Sequence, residues 1–135
     1  MGDGLLAIFR IDDGPHAETC AAALAAANEA LSSMEGLAAA RGPSRPTPAL
    51  DIALHVGRVN YGNVGADARL DFTVIGPAVN EASRIERLCE PLGRHLLMSQ
   101  AFAQAADSSR HRLASLGRHR LRGVREETEL FGMGR

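Results

Sequence analysis

The stretch LDFTVIGPAVNEASRIERL, residues 70–88, carries the residue types best suited to chemistry. Gly76-Pro77 closes an apolar run and starts a helical pattern. Within that pattern Asn80, Arg84 and Arg87 stand at i, i+4 and i+7 and so share one face. Ala78, Ala82, Ile85 and Leu88 make the packing side. An amide and a guanidinium near a helix start can orient a sugar oxygen and neutralise charge developing on a phosphate. The same spacing also describes an ordinary solvated face, and spacing alone leaves both readings open.

The elements that must position this helix can be read on either side of it. Gly2-Asp3-Gly4 is a tight turn, and Leu5 to Ile11 reads as a continuous buried strand. Asp12-Asp13-Gly14-Pro15 supplies a turn and a helix start, and an Ala-rich helix follows from His16 to about Ala40. Arg41 to Pro48 is an exposed loop, Leu50 to Val59 a strand, and Asn60 to Gly65 turn chemistry. Leu70 to Ile75 is the strand that feeds the helix, which is expected to run to Cys89 and stop before Pro91. Leu96 to Met98 reads as a short strand and Gln100 to Ala106 as a short helix. Arg118 to Val124 and Thr128 to Met133 complete the chain as a strand pair. This order mixes hairpins with crossovers and predicts an α+β sheet with helices mainly on one face.

Length and composition bound the function. The 135 residues suffice for one domain. With 45% hydrophobic residues and a formal net charge of -1, the chain has the balance of an ordinary globular protein rather than a strongly charged one. Cys20 and Cys89 fit neither a CxxC pair nor a metal-ligand spacing, and both fall in apolar helical patterns. They read as buried thiols in a reducing compartment. No stretch approaches the roughly 18 apolar residues of a membrane span, so a cytoplasmic location is expected, with any membrane attachment left to a longer parent. The six arginines between Arg110 and Arg125 are not interleaved with aromatics, which argues against nucleic acid as a partner. Apart from Arg122, they read as a solvated loop and strand face.

DFTVIGPAVNEASRIE, together with the preceding LHVGRVNYGNVGADARLD, closely resembles the class III adenylate/guanylate cyclase catalytic domain. GDGLLAIF is similar to the glycine–aspartate hairpin of that family, and LRGV with TELFGM to its terminal strands. The similarity extends over essentially the whole chain, in the correct order.

The resemblance implies a ferredoxin-like cyclase sheet and conversion of ATP to 3′,5′-cyclic AMP and pyrophosphate. It assigns Asn80 to orienting the ribose and Arg84 to stabilising the pentavalent phosphorus. Arg122 matches the basic residue, usually Lys, that contacts the terminal phosphates; as Arg it binds as a planar fork rather than a point charge. Thr73 matches the purine-reading position, and a Thr there resembles the bacterial-type subgroup that selects adenine. Asp3 matches the second of two aspartates that bind two catalytic Mg²⁺ or Mn²⁺ ions, for which a turn carboxylate is a suitable hard oxygen ligand.

The resemblance further implies active sites shared across a head-to-tail dimer, so homodimerisation or other self-association is expected. It also aligns residues 1–135 with the C-terminal part of one such domain. The family's opening strand with the first metal aspartate, and the strand with the adenine-reading Lys, would lie upstream of the glycine–aspartate turn. No Lys occurs anywhere in the chain. A chain of this extent is expected to be weak or inactive by itself, and a non-catalytic dimerisation or nucleotide-binding module is the alternative reading.

Overall fold

A strand covered on both faces needs an apolar or satisfied side chain at every position, and LLMS at residues 96–99 meets that condition. The computed structural model describes residues 5–11, 16–42, 50–58, 60–64, 71–75, 77–106, 112–122 and 126–134. Its elements in chain order are α1 (His16–Arg41), β1 (Ile52–Leu54), β2 (Asn60–Val64), β3 (Asp71–Ile75) and α2 (Pro77–Glu86). There follow α3 (Cys89–Leu92), β4 (Leu96–Ser99), α4 (Gln100–Ala105), β5 (Leu113–Arg120) and β6 (Glu127–Met133). The main sheet has the order β1-β4-β6-β5, and β2 and β3 form a separate two-stranded pair. β1 runs parallel to β4, whereas β6 is antiparallel to both of its neighbours.

The pleat of β4 divides the core between the two faces of the sheet. Leu96 and Met98 join Cys20, Ala23, Leu24 and Ala27 of α1 and Phe102 of α4 in one buried cluster. Leu97 joins Ile85, Cys89, Leu121 and Leu130 in another. The larger helical layer, α1 with α4, therefore lies on one face, and the shorter α2 and α3 cover the other.

The spacing of Cys20, Ala23, Leu24 and Ala27 explains how α1 docks, because i, i+3, i+4 and i+7 make one stripe. Glu18 in its first turn and Arg41 in its last complement the helix dipole. At the start of α4, Ser99 has extended backbone angles and its Oγ accepts from the Phe102 N–H at 3.1 Å, which makes it an N-cap.

Several expectations need correction. Leu5 to Ile11 is not a strand: it makes no ladder with any described strand, and Leu5 is 92% exposed. Apolar composition favours burial, but a strand exists only where a second strand takes up its N–H and C=O groups. Conversely, Asn60 to Val64 is not a turn but β2, paired antiparallel with β3 from Asn60↔Ile75 to Val64↔Asp71. Cross-strand pairing there overrides the poor strand propensity of Asn and Gly.

The strand expected over Leu50 to Val59 is confined to Ile52–Leu54, the three residues that β4 pairs. The site helix ends at Glu86, and the chain turns before α3, which contains Pro91 rather than stopping ahead of it. Pro91 is tolerated because it lies in a first turn, where its missing N–H has no intrahelical partner. Gly93, in the left-handed region at φ 64, closes α3 by donating to Glu90 O while Arg94 N–H donates to Cys89 O.

The penultimate strand is Leu113–Arg120 rather than 118–124. Leu121 leaves the ladder to bury its side chain beneath α2, and the register shifts between Ser115 and Arg118. Both cysteines are free and buried, as expected. Among the described residues no helix is long and apolar enough to cross a membrane.

Candidate active site

α2 is held by one side and offers the other. Pro77 is its first residue, where the fixed φ is already helical. Ile85 is 1% exposed in the cluster with Leu97, Leu121 and Leu130, and Leu88 packs against the same cluster. Asn80 is exposed and Arg84 half-buried, one turn apart along the helix. Among the described residues no ion pair engages Arg84 or Arg122.

The other expected site residues are placed as follows. Thr73 lies on β3 opposite Gly62, on the strand that leads directly into α2. Arg122 is exposed immediately after Leu121. Arg84 and Arg122 are thus each the chain neighbour of a residue, Ile85 or Leu121, in one buried cluster. That shared core relates two positions 38 residues apart in the chain. Asp3 lies outside the described residues. Among the described residues no group of three or more His, Cys, Asp and Glu residues is arranged to hold a metal ion, so these residues do not by themselves make a metal site.

A polar chain that spacing could not reveal lies beside α2. His55, just beyond β1, places Nε2 2.9 Å from Glu81 Oε2 and Nδ1 2.7 Å from Ser99 Oγ. Glu81 is the residue after Asn80. Next to this chain, Gly57 abuts the first turn of α2, and a Cβ at Gly57 would overlap Ala78 Cβ. The only local hint is a His followed by a Gly at a strand end, LHVG, because its partners lie 26 and 44 residues away.

A cavity of about 480 Å³ is lined by Asp51, Cys89, Glu90, Gly93, Arg94 and His95, and contains none of the expected site residues. Burial, reinforced by the charges of Asp51 and Glu86, pushes the Cys89 thiol up to about 12. A thiol held neutral in this way is neither a nucleophile nor a metal ligand at neutral pH. His95 Nδ1 lies 2.9 Å from Asp51 Oδ1, so the polar groups at this mouth engage one another.

The fold defines a class. The structure resembles that of the adenylyl cyclase CyaB from P. aeruginosa with a TM-score of 0.70 at 23% identity, over 88% of this chain and 60% of that one. An uncharacterized protein of Mycobacterium tuberculosis is 36% identical over 126 residues, 90% of this chain and 21% of its own length. Adenylate cyclase 1 of Rhizobium meliloti is 32% identical over 114 residues, 82% of this chain and 17% of the relative. No family model matches the chain. The chain belongs to the class III adenylate/guanylate cyclase catalytic-domain family. It spans about a fifth of the length of the curated relatives it matches.

Proposed function

We propose that residues 1–135 are a single unit of cyclase catalytic domain that takes ATP to 3′,5′-cyclic AMP and pyrophosphate. The observation that carries this reading is α2: Asn80 and Arg84 project from a helix whose opposite side is locked into the core by Ile85. In the reaction the ribose 3′-oxygen loses its proton and bonds to the α-phosphorus, and the bond from that phosphorus to the pyrophosphate oxygen breaks.

Asn80 orients the ribose so that its oxygen is in line with the leaving group. Arg84 answers the negative charge that grows on the phosphoryl oxygens, where a guanidinium fork is well matched. Thr73 reads the purine and Arg122 holds the terminal phosphates. Mg²⁺ or Mn²⁺ is the metal such a reaction uses to screen phosphate charge. Asp3 is the carboxylate assigned to it by resemblance, and the described residues supply no further cluster for it. The complete site is proposed to form between two copies of the chain, one presenting α2 and the other Asp3.

The test is cyclic AMP formation by the purified chain with ATP and Mn²⁺, compared with Asn80→Ala and Arg84→Ala. Loss of either group is expected to lower turnover by roughly 10²–10³-fold, as for other preorganised charge-stabilising donors. Product formation that survives both substitutions would overturn the assignment. No product from the parent chain would favour the non-catalytic module, to be followed by ATP binding and by sedimentation to measure self-association.

A further inference from the structure

We propose that His55 is a positioning residue that clamps Glu81 and so sets the seat of α2, the helix that carries Asn80 and Arg84. The proposal rests on the cyclase reading for its effect on turnover, but the clamp itself stands on geometry. Its three members come from three elements. His55 follows β1, Ser99 ends β4 and caps α4, and Glu81 lies in the second turn of α2.

The distances of 2.7 and 2.9 Å leave one direction for the protons when His55 is neutral. Nε2 faces a carboxylate and must donate to it. Nδ1 then carries the lone pair and accepts the Ser99 hydroxyl proton, while Ser99 Oγ accepts from the Phe102 N–H. The chain of donors therefore runs from the α4 backbone through Ser99 and His55 to Glu81, with every member satisfied. Both inner members are sheltered: Ser99 is 3% exposed and the His55 side chain 11%. Glu81, 40% exposed at its side chain, is the outer end.

The composition Ser, His, Glu is also that of a hydrolytic triad, but the geometry argues against a nucleophile. Ser99 Oγ is buried and committed to capping α4, so no carbonyl can reach it. What the chain can do is fix an angle. Apolar packing at Ile85 holds α2 to the sheet, but the attraction itself is non-directional. A directional hydrogen bond to Glu81 opposes rotation, and Glu81 is adjacent to Asn80. Gly57 adds a second, steric stop one turn earlier, because its lack of a side chain lets the loop after β1 meet Ala78 directly. Small misplacements of reacting groups have large kinetic consequences, so a rotational stop beside Asn80 bears on turnover rather than on whether ATP binds.

The experiment compares the parent chain with Glu81→Ala and Glu81→Gln by two readouts. The first is the nitrogen spectrum of the His55 imidazole, with amide exchange across 77–86. The parent should show a protonated Nε2 and an unprotonated, hydrogen-bonded Nδ1. Glu81→Ala should shift Nε2 and speed exchange in α2, and Glu81→Gln, which keeps an acceptor, should restore much of both. The second readout is steady-state cyclic AMP formation. Glu81→Ala should lower kcat by ~10-fold with little change in KM, and Gln should recover most of it. An unchanged His55 spectrum and unchanged α2 exchange in Glu81→Ala would overturn the clamp. If the clamp shows in the spectrum but kcat does not fall, its positioning role is overturned. If the parent chain and Asn80→Ala are equally inactive, the cyclase reading fails instead, and the spectrum with the exchange rates decides the clamp alone.

Discussion

The two faces of the main sheet are built differently. On one face the cluster draws four residues from a single stretch of α1, Cys20 to Ala27, with Phe102 of α4 and Ala106 just beyond that helix. On the other, Ile85, Cys89, Leu97, Leu121 and Leu130 come from five separate places in the chain. On the first face one striped helix supplies half of the cluster, although it meets β4 much further along the chain. On the second no element supplies more than one residue, and this face seats the helix with Asn80 and Arg84. The difference teaches that one face chiefly buries apolar surface, and the other also seats the helix that carries the proposed site residues. The buried thiols repeat the contrast. Burial alone raises the pKa of Cys20, whereas the Cys89 thiol also feels Asp51 and Glu86.

The largest expected effect separates the two faces directly. Leu24→Ala and Ile85→Ala each remove a nearly fully buried side chain, and each should lower unfolding free energy by about 2–5 kcal/mol. Chemical denaturation checks that. The faces should part in turnover per folded molecule, which is expected to fall for Ile85→Ala and to hold for Leu24→Ala. Equal turnover in the two would break the division of labour.

A smaller effect is expected at Gly57. An added methyl must push Ala78 and the start of α2 away from the loop, at about 1–3 kcal/mol for overpacking. Gly57→Ala should lower thermal stability and kcat together. Combining it with Ala78→Gly, which removes the methyl it would strike, should return part of the lost turnover. A double variant no better than the single one would show that the steric stop is elsewhere.

The last effect is confined to alkaline solution. The Cys89 thiol is neutral in the fold up to about 12, against an ordinary value of 9.0. Between those values the unfolded chain releases a proton that the folded chain keeps, so stability must fall as pH rises. The contribution is complete below about pH 9 and is lost on the way to pH 12. Cys89→Ala should flatten the alkaline side of the stability profile, and identical slopes with and without the thiol would contradict the assignment.

Much of this protein is legible in the order of its residues, and the reason is periodicity. The apolar stripe of α1 follows from a 3.6-residue repeat. The start of α2 follows from Gly76-Pro77, and its polar face from the Asn80–Arg84 interval. Even the burial of both cysteines could be read from the helical patterns around them. These features depend on near neighbours, whose relation to one another is set before the chain folds.

What only the tertiary structure decided depends on partners. Leu5 to Ile11 has the composition of a strand but no described strand beside it, while Asn60–Val64 has the composition of a turn and is made a strand by β3. Leu121 interrupts what reads as continuous strand because its side chain is buried with Ile85, Leu97 and Leu130. Most of all, His55, Ser99 and Glu81 meet through loops that no spacing rule connects. A hydrogen bond between residues 44 positions apart leaves no periodic trace in the sequence, because the distance between them is set by how strands pair and helices pack, and that is settled only when the whole sheet closes.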